Sequence, residues 1–258
     1  MLPHAAAVPD ASTPPAAARV AHAAAPELSL VLPLFDEEAR LGAALAELRT
    51  ALLRSGRRGE IVAVDDGSRD GTAALLAAEA ALDPRLRVVT LESNRGKGAA
   101  VREGVLAARG AFVVFLDADL STDLEALPRL LARLEAGADV VYGSRRTSGA
   151  VVLARQSRVR ELAGRVFSWL ARRVADPRLC DFTCGFKGFR AAAARELFGP
   201  LRTQRWAFDA EVARRARRLG LAREELPVRW TQRGASKVRV ASAAPGALLD
   251  LLRIALAR

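Results

Sequence analysis

From residue 28 onward the chain alternates short apolar runs with helix-length amphipathic stretches, which restricts it to an α/β fold with a mostly parallel sheet flanked by helices. Runs at 28–33, 60–64, 87–91, 111–116 and 139–142 read as strands, and 37–54, 70–82, 97–109 and 123–136 as helices. The second half is less regular. There the pattern predicts helix over 151–175, an irregular segment around 180–190, a helix over 208–219, a strand at 224–231 and a last helix over 245–257. Residues 1–26 form an Ala/Pro tract without periodicity and are expected to be a disordered tail. The expected organisation is that tail, one domain over 27–240 and a C-terminal helix over 241–258.

In open parallel sheets, ligands bind beyond the carboxyl ends of the strands. The polar motifs of this chain sit there: Phe35-Asp36-Glu37, Asp65-Asp66-Gly67-Ser68 and Asp117-Ala118-Asp119. If the strand continues, its period of two aims Asp117 and Asp119 the same way. Ala118 between them leaves room for a ligand. Such a pair suits Mg²⁺ or Mn²⁺, which favour one or two carboxylates completed by phosphate oxygens and water. The same residues also suit a helix start, with Asp119 or Ser121 capping 123–136. Asp65-Asp66-Gly67-Ser68 offers acceptors for a base N–H and a ribose hydroxyl, and equally makes a turn with an N-cap. Asn94-Arg95-Gly96-Lys97-Gly98 brings glycine backbone and one cation to a helix start, an arrangement for holding an anion.

Residue content removes several chemistries. The two histidines, His4 and His22, both lie in the tail, so Ser-His-Asp, Cys-His and His-metal sites are excluded. Cys180 and Cys184 are too few for a structural zinc site and read as buried, reduced thiols. No apolar stretch is long enough to span a membrane, and the N-terminus lacks a signal-peptide pattern. Charge is divided unevenly: residues 1–144 carry 15 Lys and Arg against 20 Asp and Glu, residues 145–258 carry 25 against 9. A back half at +16 suggests an anionic partner, or else Arg side chains on solvated helix faces.

The ordered motifs VLPLFDEE (31–38), VDDGSRDGT (64–72), NRGKGAAVREG (94–104), FLDADLS (115–121) and YGSR (142–145) resemble the family 2 glycosyltransferases with a GT-A (Rossmann-like) fold. Further on, DFTCGFKGFR (181–190), RWAFDAE (205–211) and WTQRGASKV (230–238) look like the dolichyl-phosphate β-glucosyltransferases and their prokaryotic polyprenyl-phosphate relatives. The resemblance spans 28–240, which is 213 of 258 residues. It implies that Pro33, Phe35, Glu37 and Asp66 hold base and ribose, that Asp117 and Ala118 touch the nucleotide, and that Asp119, with Asp117, binds the metal. Lys97 joins this donor set. Arg145 and Lys237 fall where the family places cations near the phosphates, and Asp209 where other family 2 enzymes carry a base. Arg145, Lys187, Arg205 and Trp206 form the implied acceptor side. Ser121 departs from the Gln that some lipid-phosphate mannosyltransferases use as a metal ligand. The eukaryotic relatives also have an N-terminal anchor, for which this sequence shows no counterpart.

The implied reaction moves a hexose, glucose from UDP-glucose, to a polyprenyl phosphate by in-line displacement with inversion. A phosphate acceptor is largely dianionic at neutral pH and needs cations rather than a base, whereas a hydroxyl acceptor would require a carboxylate such as Asp209. The basic helices at 151–175 are expected to lie on an anionic membrane, placing the protein on the cytoplasmic, inner face; ordinary core packing is the alternative. Rival readings are a family 2 enzyme with a soluble or polysaccharide acceptor, a nucleotidyltransferase, a catalytically inactive scaffold and a basic nucleic-acid-binding module. The last is disfavoured by an acidic front half and few aromatics, so nucleic acid is not an expected partner.

Overall fold

A computed structural model describes residues 25–154, 158–233 and 240–256. The expected tail up to residue 24 and Lys237 lie outside the described residues. The first half forms β1 (Leu28–Leu34), α1 (Glu38–Ser55), β2 (Gly59–Asp65), α2 (Thr72–Leu82), β3 (Leu86–Thr90), α3 (Lys97–Ala107) and β4 (Phe112–Leu116). A 3₁₀ turn then leads into α4 (Leu127–Glu135) and β5 (Val140–Ser144). The second half adds β6 (Val151–Ala154), α5 (Arg158–Val174), β7 (Phe186–Arg190), α6 (Ala191–Phe198) and α7 (Phe208–Arg218). It closes with β8 (Arg223–Pro227), β9 (Arg229–Thr231) and α8 (Val240–Leu256).

Seven strands make one sheet in the order β3-β2-β1-β4-β7-β5-β8. All its pairings are parallel except those of β7, which runs antiparallel to both β4 and β5. Because successive side chains of a strand point to opposite faces, each apolar strand feeds two cores. Leu28, Leu30 and Leu32 pack with α1 and α4 residues such as Leu45 and Leu130 on one face. Val31, Val113 and Phe115 pack on the other with Val101, Phe198 and Phe208 from α3, α6 and α7. Burial on both faces explains why these strands read as continuous apolar runs.

Chain order reverses between β1 and β4, which are neighbours in the sheet. The loops after β1, β2 and β4 therefore open onto one crevice at the carboxyl edge, as expected. β7 adds a second supply of residues to this edge. Since it is antiparallel and pairs Phe186 with Leu116, the segment before it, 181–185, arrives beside Asp117.

Three segments depart from the sequence expectations. Residues 186–190 are a central strand, not irregular chain; Lys187 and Gly188 interrupt the apolar pattern, yet both are required inside. A Cβ at Gly188 would fall 2.2 Å from Leu130 Cδ2, so α4 packs directly on the strand backbone. Residues 151–154 are strand rather than helix, paired with β9, and their Val-Val-Leu side chains are largely exposed. The single strand expected over 224–231 is two strands in different sheets, split at Val228, whose N–H donates to Ser144 O while its carbonyl accepts from Val151 N.

Candidate active site

The loops after β1 and β2 are stitched together. Asp36, in the left-handed region at φ 53°, accepts from Arg69 N and donates its own N–H to Ser68 Oγ. Glu37 N donates to Thr72 Oγ1, and its carboxylate pairs with Arg40 at 2.7 Å. Asp66 accepts the N–H groups of Arg95 and Gly96, both at 2.8 Å. Asp66 thus anchors the 94–96 loop, and each oxygen keeps a lone pair for a ligand N–H or O–H. Burial raises its pKa in spite of those two donors.

β4 ends at Leu116, and Asp117-Ala118-Asp119 forms a turn closed by Leu120 N donating to Asp117 O, with Leu120 at φ 44°. The strand does not continue, so period-two aiming is not what brings the carboxylates to the cavity. Nor does Asp119 cap the following helix: Asp123 does so by accepting from Glu125 N. Asp119 instead accepts from Ser121 N at 3.0 Å within the turn. Burial and then the charge of Asp117 raise the Asp119 pKa, so the two carboxylates repel in a poorly solvated place.

Lys97, the first residue of α3, extends to Asp117 Oδ1 at 2.5 Å, with Phe115 and Trp206 rings each 5.3 Å from its ammonium. Burial opposes its charge, but Asp117, Asp209 and Asp119 outweigh that and hold its pKa above the ordinary lysine value. At this helix start Ala99 N is taken by Gln204 O, so anion affinity here rests more on the Lys97 ammonium than on a full set of backbone donors.

Deeper in, Lys187 is buried on β7 and donates to Cys184 O at 2.6 Å while pairing with Asp209 at 2.8 Å. Burial raises the Asp209 pKa, opposed by Lys187 and Lys97. Arg145 makes a bidentate pair with the fully buried Asp181, at 2.7 and 2.9 Å, and a further bond to Thr183 Oγ1. Its charge therefore reaches a phosphate already half balanced. Several Arg of the basic half do similar internal work: Arg190, Arg214 and Arg223 donate to carbonyls at helix ends and turns.

These groups line one cavity of about 1050 Å³. Pro33, Phe35, Glu37 and Asp66 form one wall, and Lys97, Asp117, Ala118 and Asp119 the floor. Arg145, Arg205, Trp206 and Asp209 close the other side. Of the expected site residues among those described, only Lys187 lies behind the wall, reaching the cavity through Asp209. Sequence reasoning missed the apolar arm, formed by Val159, Leu162, Val166, Phe167 and Leu170 of α5 with Leu248 of α8. It also missed Gly185, against which Asp117 packs.

The site fits a divalent cation. Asp117 and Asp119 supply two mutually repelling carboxylates that a cation would relieve. The described residues contain no cluster of three or more His, Cys, Asp or Glu. The remaining ligands must then be phosphate oxygens and water, the mixture Mg²⁺ and Mn²⁺ favour.

A sequence model of glycosyl transferase family 2 matches residues 29–198. Dolichyl-phosphate beta-glucosyltransferase of Dictyostelium discoideum is 31% identical over 88% of this chain and 73% of its own length. The Drosophila melanogaster protein of that name is 35% identical over 82% and 69%. Glucosyl-3-phosphoglycerate synthase from Mycobacterium tuberculosis, solved with Mn²⁺, UDP-glucose and phosphoglyceric acid, superposes with a TM-score of 0.65 over 89% of this chain and 80% of that one. At 20% identity it shares the fold.

Proposed function

This chain belongs to glycosyl transferase family 2 and is a glycosyltransferase, and from that membership we propose that it moves glucose from UDP-glucose to a polyprenyl phosphate. The observation that carries the acceptor is the two-part cavity: its acidic end holds Asp66, Asp117 and Asp119, and its other arm is apolar and built from α5 and α8. A nucleotide sugar matches the first part and a prenyl chain the second. The relatives' names point to the same pair of substrates.

In this reading the stitched loops at Asp36 and Asp66 fix the nucleoside, and Lys97 and Arg145 face the diphosphate. A bound Mg²⁺ or Mn²⁺ on Asp117 and Asp119 supplies positive charge for the departing UDP. An acceptor phosphate oxygen attacks the anomeric carbon from the face opposite the diphosphate. The carbon–oxygen bond to UDP breaks, its electron pair leaves with UDP, and the configuration inverts. No proton has to be removed from a phosphate dianion. Asp209, already paired with Lys187, then serves to balance charge and orient a sugar hydroxyl.

The membrane reading is supported by α5, where Val159, Leu162, Val166 and Trp169 are exposed at helical spacing, beside exposed Leu248, Leu249 and Leu252 of α8. Among the described residues no helix is long and apolar enough to cross a membrane. The chain would accordingly lie on the surface of an anionic bilayer with the apolar arm facing it.

The test is release of UDP from a panel of nucleotide sugars, with Mg²⁺ or Mn²⁺, in the presence of undecaprenyl or dolichyl phosphate. Expected is turnover of UDP-glucose only when lipid phosphate is added. Equal turnover with a soluble sugar and no lipid would replace this reading with the hydroxyl-acceptor one, in which Asp209 acts as base.

A further inference from the structure

Lys97 occupies a position that the donor-site reading above assigns to two different ions. Its ammonium sits 2.5 Å from Asp117 Oδ1, on a carboxylate expected to hold the metal. The position is confined. Lys97 starts α3 behind Gly96, whose φ of 103° and close contact with Gln204 O fix the turn. Phe115 and Trp206 present their rings to the ammonium at 5.3 Å each. The aromatic faces also offer a cation a resting place that is not bulk water. Asp209 is the next anion acting on the same charge, and it already has its own cation in Lys187.

We infer that Lys97 is a tethered counter-ion that holds Asp117 until the metal and the donor diphosphate arrive together. Without donor, a divalent cation gains two carboxylates but must evict the ammonium from one of them and remain beside it. With a nucleoside diphosphate present, the balance reverses. The phosphate oxygens supply further ligands for the metal and a new anionic partner for the displaced Lys97. Lys97 therefore opposes metal loading of the empty enzyme and favours the ternary state, coupling the two ligands. This rests on the donor-site reading but adds an order and a penalty that the reading itself does not require.

The experiment is Mn²⁺ binding, followed by the paramagnetic resonance of free Mn²⁺, with and without UDP, on the wild-type protein, Lys97→Met and Lys97→Gln. Expected without UDP is about tenfold tighter Mn²⁺ binding in both variants, the order produced by removing one partly screened unit charge beside the ion. UDP should tighten Mn²⁺ binding strongly in the wild type and much less in the variants. Unchanged or weaker Mn²⁺ binding by the variants without UDP, while the wild type binds Mn²⁺ with UDP, overturns this inference alone. Absence of Mn²⁺ binding by the wild type even with UDP overturns the donor-site reading and this inference with it. Should neither variant fold, the wild type decides, because the chain has only three lysines, Lys97, Lys187 and Lys237. In protein labelled with [ε-¹³C]lysine, Mg²⁺ with UDP should move the Lys97 resonance, and a resonance unmoved at saturation overturns the displacement.

Discussion

The Asp117 carboxyl group fills the space that a side chain at Gly185 would need: a Cβ there would lie 2.0 Å from Asp117 Cγ. Asp117 N also donates to Gly185 O at 3.0 Å. The turn after β4 is thus held in place by the segment entering β7, and the antiparallel strand contributes to the donor site without supplying a ligand. Gly185→Ala should drive the Asp117 side chain from its position. Mis-setting a catalytic group by about an ångström costs on the order of 100-fold, so kcat/KM should fall by roughly that factor. Mn²⁺ affinity in the presence of UDP should fall too, with circular dichroism unchanged. Activity within twofold of wild type would show that Asp117 tolerates displacement.

Lys187 and Asp209 form an ion pair with both side chains buried. Removing one partner of such a pair leaves an uncompensated charge and costs about 3–5 kcal/mol. Lys187→Met should therefore lose stability on that scale in urea unfolding, and Lys187→Met combined with Asp209→Asn should recover part of it. If Asp209 balances charge and is no base, Asp209→Asn should keep turnover with polyprenyl phosphate within about tenfold of wild type. A loss of the size expected for a missing general base, about 10²–10⁴-fold, would return Asp209 to that role.

The Arg145–Asp181 pair carries a pH signature. Burial alone would raise the Asp181 pKa, but Arg145 outweighs it and holds the carboxyl well below the usual range. A group depressed in the folded state contributes stability that is complete above its unfolded pKa and lost as pH falls through the folded value. The contribution should hence be constant from pH 8 to 5 and decline below the unfolded Asp value of about 3.9. Wild type and Asp181→Asn should differ by about 3–5 kcal/mol at pH 7 and converge as the solution becomes strongly acid. A gap that closes between pH 8 and 6 would contradict the assignment.

Cys184 is fully buried, its thiol pushed up to about 11 by burial. Cys180 is half-buried, and burial and Glu225 raise its pKa as well. With thiolate as the reactive form, a thiol reagent at pH 8 should label Cys180 slowly in the native protein and Cys184 only in denaturant. Two rapidly titrating thiols in the native state would refute this burial.

The parallel half of the fold was legible because strands buried on both faces write themselves as apolar runs with acidic loops at their ends. β7 was not, since its Lys187 and Gly188 make sense only against Asp209 and Leu130, residues distant in sequence. The donor residues were legible as motifs, but their local work was not. Asp66 holds the 94–96 loop and Asp123, not Asp119, caps the helix, because a carboxylate's partners are set by turn geometry. The +16 of the back half overstated the free positive surface: Arg145 spends its charge on Asp181, and Arg190 and Arg214 spend donors on carbonyls.

That correction shifts the case for membrane contact from charge to apolar exposure, which can be tested by itself. On α5, Leu162 and Trp169 are 63% and 55% exposed, and Arg173 stacks over the Trp169 ring at 3.5 Å. Burying one such leucine in a bilayer interface is worth about 1.5–3 kcal/mol, or roughly tenfold or more in partitioning. Leu162→Glu should therefore reduce flotation with anionic vesicles by at least that factor while leaving thermal stability unchanged, because the side chain packs on nothing inside. Wild-type Trp fluorescence should shift to shorter wavelength on vesicle addition, and Trp169→Ala should remove most of the shift. High salt should weaken binding only in part, since the apolar contribution is not screened. If salt abolishes binding and Leu162→Glu does not alter it, the Arg side chains alone hold the surface and the apolar arm of the cavity opens to water.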